Sequence, residues 1–584
     1  MKKNILILIC FVGAFYAKAQ TSILCTTPVA EQIMKGNYNP VTYQASTIIT
    51  DPAVISAEIN SRVSADSLHS YLNQMKKFQN RNTLSDTLST TKGIGAARKW
   101  AFSKFEQFSA QNENRLIASY IQYDYDYSSS CPNSITRHKN TCAVLPGNDT
   151  TDKAVIIIEA HLDTRCSNNC DTACLAEGME DNGSGSALVL ELARVMSKYT
   201  FKQTIVFILT TSEEQGLNGA KAVADFVKAK GIKVKGVLNN DVIGGVICGH
   251  TSSPPSCPGY ATIDSTQVRL FSYGGVNSFH KGLARFIKLE YKEMIKPIAK
   301  VPMKVSIMTA EDRTGRGGDH IPFRNLGYTA MRFTSANENG DASNGTGYID
   351  RQHTSSDILG ADTNNDMVLD SFYVDFNYLA RNAVINGNAA AMMALGPKTP
   401  DFNLTSDTYD HLFIEITQQT QYLNYRIGVR TTSHDFDSVY TFSGAKSLFD
   451  TITVATTGNH FVSVASVDSK GIESLFSKEL TKALTNVNDI SPAPNGIELL
   501  QNKPNPSDET TMITVMINKS IDYKDAYIFI YDITGKEVSH LPIILKDGIN
   551  EVIYDHGYNM VGTYIYTLVV DGKQIQSKRM TFTN

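Results

Sequence analysis

The chain has 584 residues, 42% hydrophobic and 19% charged, with a formal net charge of −4. That length exceeds the roughly 250–300 residues at which single cores stop growing, so several domains are expected. The near-balanced charge excludes the basic footprint of a nucleic-acid-binding protein, and no segment past the amino terminus is long and apolar enough to span a bilayer.

Residues 1–19, MKKNILILICFVGAFYAKA, have two leading lysines, an apolar centre and a small-x-small ending at Ala17-Lys18-Ala19. This predicts a secretory signal. Its removal would take Lys2, Lys3 and Lys18 and leave 51 basic against 58 acidic residues, a net −7. Cys10 would leave with it, and the other eight cysteines then read as disulfides of an exported chain. Cys131–Cys142 and Cys248–Cys257 are the natural local pairs, while Cys25, Cys166, Cys170 and Cys174 allow three connectivities. A zinc site at Cys166, Cys170 and Cys174 is the alternative, but the spacing is not CxxC and the compartment is oxidising.

Residues 20–55 form an N-terminal extension with little organisation. Ser64 to Phe78 then predicts an amphipathic helix, capped by Ser64, with Leu68, Leu72, Met75 and Phe78 on one side. A second helix follows GIGAAR and carries Trp100, Phe105 and Phe108, read as core packing.

Val155 to Ile158 is a β-branched run of the kind buried on both faces of a sheet, and His161 follows as it ends. Asp181 lies in EDNGSG ahead of a helical apolar pattern at Leu188, Leu192, Val195 and Met196, and the glycines are expected to free the backbone there. TIVFILTT runs into Glu213 and Glu214, and VKGVLNN into Asp241. In an open α/β sheet, ligands bind beyond the carboxyl ends of the strands. These groups would therefore share one crevice, where metal or protons must compensate the crowded carboxylates. Zinc accepts nitrogen and carboxylate ligands, and a metal pair is the more economical reading.

HLD, EDNGSG, SEEQGLNG and NNDVIG, followed by GGDHIPF and RQHTSSD, resemble the co-catalytic zinc exopeptidases typified by secreted bacterial leucine aminopeptidases. Arg81 to Thr83 followed by GIGAARKW looks like the beginning of the same family, so a catalytic domain over residues 56–396 is expected. The resemblance implies a mixed sheet sandwiched by helices and two Zn²⁺, with His161 and Asp241 on one ion, Glu214 and His353 on the other, Asp181 bridging them and Glu213 the base. Asp163, two residues beyond His161, is expected to hold the other ring nitrogen, and Asp357 is a weaker candidate for the same task at His353. The resemblance places the segment of His320 at the site's rim, where His320 would contact substrate or a ligand loop, and Tyr348 could polarise the scissile carbonyl. DTNNDMVLD (Asp362 to Asp370) starts like a calcium loop but lacks the sixth-position glycine and terminal glutamate, which favours a solvated turn.

Beyond Pro397 the pattern changes. Alternating runs such as YRIGVR and FVSVASVD predict an all-β sandwich over residues 397–483, whose closing VDSKGIES is similar to the last turn of fibronectin type III domains. It reads as a spacer or a protein- or polysaccharide-binding module. A linker rich in proline, asparagine and glycine covers residues 484–498. In residues 499–584, LLQNKPNPSDETTMITVMI, IFIYDITGKEV and GTYIYTLVVDGKQIQSKRM form a second small β unit. They resemble the carboxyl-terminal sorting domain of the type IX secretion pathway, which implies export across an outer membrane and that machinery as a partner.

The expectation from sequence is thus a secreted or surface-bound aminopeptidase acting on peptides. A single-zinc glutaminyl cyclase is the alternative enzyme, and a binding ectodomain on a peptidase fold the non-enzymatic one.

Overall fold

The computed structural model describes residues 23–583 apart from 249–261, 338–350, 485–495 and gaps of one to four residues, namely 133, 150, 276, 314–315, 367, 407–409, 432, 445–447, 455–457, 508–509, 520 and 557–560. The expected signal and Tyr348 lie outside the described residues.

A nine-stranded sheet forms the first unit. Its strands are β1 (Ile23–Cys25), β2 (Ile117–Asp124), β3 (Arg137–Leu145), β4 (Val155–His161), β5 (Thr204–Thr210), β6 (Val234–Asn240), β7 (Gln267–Ser272), β8 (Lys304–Ile307) and β9 (Ala330–Ser335), in the order β1-β2-β3-β5-β4-β6-β9-β7-β8. The run β5-β4-β6-β9 is parallel, whereas β3 joins β5, and β7 joins β9, in antiparallel fashion. Nine helices are described: α1 (Pro28–Met34), α2 (Pro52–Arg62), α3 (Ala65–Lys76), α4 (Gly93–Gln111), α5 (Gly185–Met196), α6 (Asn218–Ala229), α7 (Phe279–Glu290), α8 (His320–Asn325) and α9 (Phe376–Leu395).

Alternation along β4 explains the two cores. Ile156, Ile158 and Ala160 pack under α3, α4, α5 and α9, while Val155 and Ile157 pack under α1, α6 and Phe323 of α8. A strand buried on both faces reads as the continuous apolar run found there. α3 forms where its pattern predicted, with Leu68, Leu72 and Met75 buried and the Ser64 hydroxyl accepting from the Ser67 N–H at 3.2 Å. The segment read as an extension lies on this unit: β1 is the sheet's edge strand, and α2 packs with α9. Among the described residues, no helix is long and apolar enough to cross a membrane.

The cysteine pairing corrects one expectation. Cys131 bonds Cys170 and Cys166 bonds Cys174, so the disulfides pin the loop between His161 and Asp181, and no zinc is held by those thiols. Cys131–Cys142 does not form: the Cys142 thiol, within β3, is free and buried in the core beneath α1 and α6, while Cys131, in the loop before β3, bonds Cys170. Cys25 is also an unbonded, buried thiol, 3.1 Å from the Ser119 hydroxyl. Cys248 is disulfide-bonded, and its expected partner Cys257 lies outside the described residues.

Two small β units follow. One packs a three-stranded sheet (Phe402–Ser406, His411–Ile416, Phe449–Thr453) on a four-stranded one (Asn424–Arg430, Ser438–Ser443, Gly458–Val467, Leu480–Leu484) around its own core. The last unit repeats that arrangement between Ile497 and Phe582.

The first β unit is tied to the α/β unit by buried charge. Arg285 of α7 reaches Glu479 at 3.0 Å, and Arg430 grips the same carboxylate at 2.7 and 3.0 Å. Both guanidinium groups are almost inaccessible to solvent. Glu479→Ala would remove the carboxylate that both share, and removing one partner of a buried pair costs about 3–5 kcal/mol. The expected result is an earlier unfolding transition in calorimetry.

Candidate metal centre

The parallel strands end at one place. His161 is the last residue of β4, Asp241 directly follows β6, and Glu213 and Glu214 lie three and four residues past the end of β5. Asp181 comes from the turn before α5 and His353 from the loop after β9. The spacing around them is tight. A Cβ added to Gly185 would meet the Asn240 carbonyl at 2.2 Å, and one on Gly219 would meet that of Thr211 at 1.9 Å. Gly185 has ordinary helical dihedrals, so this motif glycine is needed for close approach and not for the backbone freedom expected from sequence. By contrast Ser212, Val242 and His353, none of them glycine, have φ of 64°, 56° and 60°. Strained backbone of this kind collects where side chains must be aimed.

The two oxygens of Asp181 face opposite ways. Oδ1 is 3.1 Å from Nε2 of His161, and Oδ2 is 3.1 Å from Nε2 of His353. Each histidine meets a second carboxylate: His161 Nε2 is 3.4 Å from Asp241 Oδ1, and His353 Nε2 is 3.2 Å from Glu214 Oε2. Ligands of a tetrahedral zinc, bound at about 2.0–2.1 Å, stand about 3.3 Å apart. The histidine–oxygen distances on both sides of Asp181 are thus of the size expected between ligands of one such ion, and the residue types and these spacings fit the metal. Donor atoms of His161, Glu213 and Asp241 also gather within 4.8 Å of one another, as do those of His161, Asp181 and Glu214.

Charge inside the cluster is polarised. Burial opposes protonation of His161 and His353, but Glu213 and Asp241 hold the first well above the ordinary histidine range, and Glu214 and Asp181 hold the second up at about 10. Burial would raise Asp181, yet the two imidazoles keep it well below the usual carboxylate range. Glu213, partly exposed, moves the other way: burial, then the nearby Asp241 and Glu214 charges, pushes it well up against the opposing pull of His161. A metal would have to displace the protons held by both rings.

Supporting groups differ in part from the sequence expectation. His161 Nδ1 lies 3.1 Å from the backbone carbonyl of Asp163 and 3.7 Å from its carboxylate. The Asp163 carboxylate instead accepts the backbone N–H groups of Glu213 and Glu214 at 3.4 and 3.3 Å, because its position past the strand end faces the neighbouring loop. Asp357 does not hold His353. It accepts the N–H groups of Glu180 and Asp181 at 2.8 and 2.9 Å, which locks the Asp181 turn to the loop of His353. His320 is fully buried at the start of α8, not exposed at the rim where the resemblance placed its segment.

Sequence reading missed three arginines. Arg81 is fully buried and donates to the carbonyls of Leu162 at 2.8 Å, Gly178 at 2.9 Å and Glu177, thereby joining the two loops that deliver His161 and Asp181. Arg332 of β9 pairs with Asp241 Oδ2 at 3.1 Å, and Arg165 donates to Glu214 Oε2 at 2.8 Å. Arg332 did leave a signal, since an arginine inside the apolar run AMRF must find a buried anion.

A mixed sheet between helical layers, with histidines and carboxylates gathered at its parallel strand ends, defines a metallopeptidase-type α/β unit. The sequence profile of peptidase family M28 matches residues 140–367. A probable zinc metalloprotease of Leptosphaeria maculans is 30% identical over 358 residues, 59% of this chain and 78% of that protein. The chain belongs to peptidase family M28. Among solved structures, it is similar to the LapA aminopeptidase of Legionella pneumophila (19% identity, 61% of this chain and 78% of that one, TM-score 0.41). It is also similar to the glutaminyl cyclase of Porphyromonas gingivalis (15% identity, 56% and 97%, TM-score 0.38).

Proposed function

We propose that the chain is an exported aminopeptidase that holds two zinc ions, one on His161 and Asp241, the other on Glu214 and His353, with Asp181 shared. The observation that carries this is the division of the Asp181 oxygens between the two histidines at 3.1 Å each. Zinc bound there supplies Lewis acidity toward the scissile carbonyl and toward the water that attacks it. The remaining work falls to the protein. Glu213, whose carboxyl is pushed up toward proton-accepting strength, takes the proton from the attacking water and delivers it to the leaving amine. Asp163 positions that base by anchoring its backbone, and Asp181, Glu214 and Asp241 offer negative charge to the free amine of the substrate. The first β unit serves as a spacer or binding module. The last serves as the sorting signal, as its motif resemblance to type IX domains implies.

Chelation followed by zinc titration, read by metal analysis and by hydrolysis of an aminoacyl anilide, tests this reading. Near two zinc ions per active chain are expected. Near one, with cyclisation of amino-terminal glutamine, would replace it with the cyclase alternative.

A further inference from the structure

A cavity of about 770 Å³, more than twice the size of the one of about 320 Å³ at the metal centre, lies between α2, the first half of α9 and the chain joining α7 to β8. The two cavities share no lining residue. Small-molecule sites occupy about 300–1,000 Å³ and are mostly apolar, with a few polar groups that fix orientation. The aliphatic lining here comes from Ile295, Ile298, Val301, Met303 and Val384. Ile298 and Val301 are nevertheless 45% and 42% exposed. Apolar side chains left in water around a concavity are the mark of a ligand-binding groove.

The charge of the lining is unbalanced. Arg381, half-buried, donates to the Ser265 carbonyl at 2.7 Å and stands 6.0 Å from the Tyr378 ring. Its buried Nε has no hydrogen-bond partner, and among the described residues no carboxylate pairs with it. Lys300, exposed at the same cavity, has no ion pair among the described residues either. Among those residues the lining holds one carboxylate, Asp375, which is engaged as the cap of α9 and accepts the Tyr378 N–H at 2.8 Å. A buried donor without an acceptor is costly, and a ligand that brings one recovers that cost.

We propose that this cavity binds a free fatty-acid-like molecule, with its carboxylate on Arg381 and its hydrocarbon body along the aliphatic lining. Charge selects the head, because the guanidinium fork matches a carboxylate in two-point geometry. The lining selects the body, since its five aliphatic side chains outweigh the single ring of Tyr291. A concavity of this volume takes one molecule and not a bilayer surface. The site uses no zinc ligand, so the inference stands apart from the peptidase reading.

Calorimetric titration of the full chain with octanoate, octanol, octylammonium and acetate tests it. Octanoate should bind about tenfold more tightly than octanol, the gain from a charged hydrogen bond, and octylammonium and acetate should give no measurable heat. In Arg381→Gln the preference for octanoate over octanol should fall below about twofold while octanol binding persists. Ala299→Trp, on the half-buried wall, fills the cavity and should abolish binding of both. The preference of the unaltered chain, together with Ala299→Trp, decides the question even if the Arg381 variant does not fold. Equal affinity for octanoate and octanol would overturn the inference, as would octylammonium binding as tightly as octanoate. So would octanoate binding that survives Ala299→Trp, or no octanoate binding at all.

Discussion

Glu213→Gln is expected to lower kcat on an aminoacyl anilide by roughly 10²–10⁴-fold, the range for loss of a positioned general base. Zinc content should stay at the wild-type value, because the proposed ligand set does not need Glu213. The fold should be no less stable. Burial and the Asp241 and Glu214 charges disfavour the ionised carboxylate at this position, and a neutral amide of the same shape relieves that repulsion. Rate, zinc content and melting temperature therefore separate the role of base from that of ligand or structural group. A variant that loses zinc with its activity would make Glu213 a ligand, and one that keeps full kcat would remove it from the chemistry. The KM should change little, since the side chain's task arises as the proton moves.

Three of the four central parallel strands, and the residues just past their ends, were legible because both leave local marks, whereas β9 was not read. Val155 to Ile158, Thr204 to Thr211 and Val234 to Asn240 are apolar runs too short for helices, and each is followed within three residues by an ionisable group, at the end of β4 or just past β5 and β6. The Ser64 cap and the face of α3 were legible for the same reason. Contacts set by the path of the chain in space were not. Cys131 lies nearer Cys142 in sequence than Cys170, yet Cys142 is a free thiol buried within the sheet's core and the fold brings Cys170 to Cys131. Asp357 was placed on His353 by its spacing of four, which has meaning on a helix, but that segment is a turn and the carboxylate faces the Asp181 backbone. Arg81 shows no periodicity at all. Its importance lies in three carbonyls brought together from two distant loops.

Asp181→Ala should affect metal binding more than any other single change at the site. Its two oxygens touch the two histidines, so the change removes one donor from each half of the cluster at once, whereas His353→Ala removes a donor from one half only. Asp181→Ala is accordingly expected to bring zinc occupancy from the proposed two ions per chain toward none in equilibrium dialysis at micromolar zinc, and turnover to background. His353→Ala should retain close to one ion. Misfolding would not explain such a pattern. The Asp181 turn is held by its backbone, through the Asp357 carboxylate and through Arg81 at Gly178, and these bonds survive loss of the side chain. An Asp181→Ala chain that keeps two tightly bound zinc ions would show that no carboxylate is shared. The two histidines would then serve independent sites, and the proposed peptidase chemistry would lose its geometric basis.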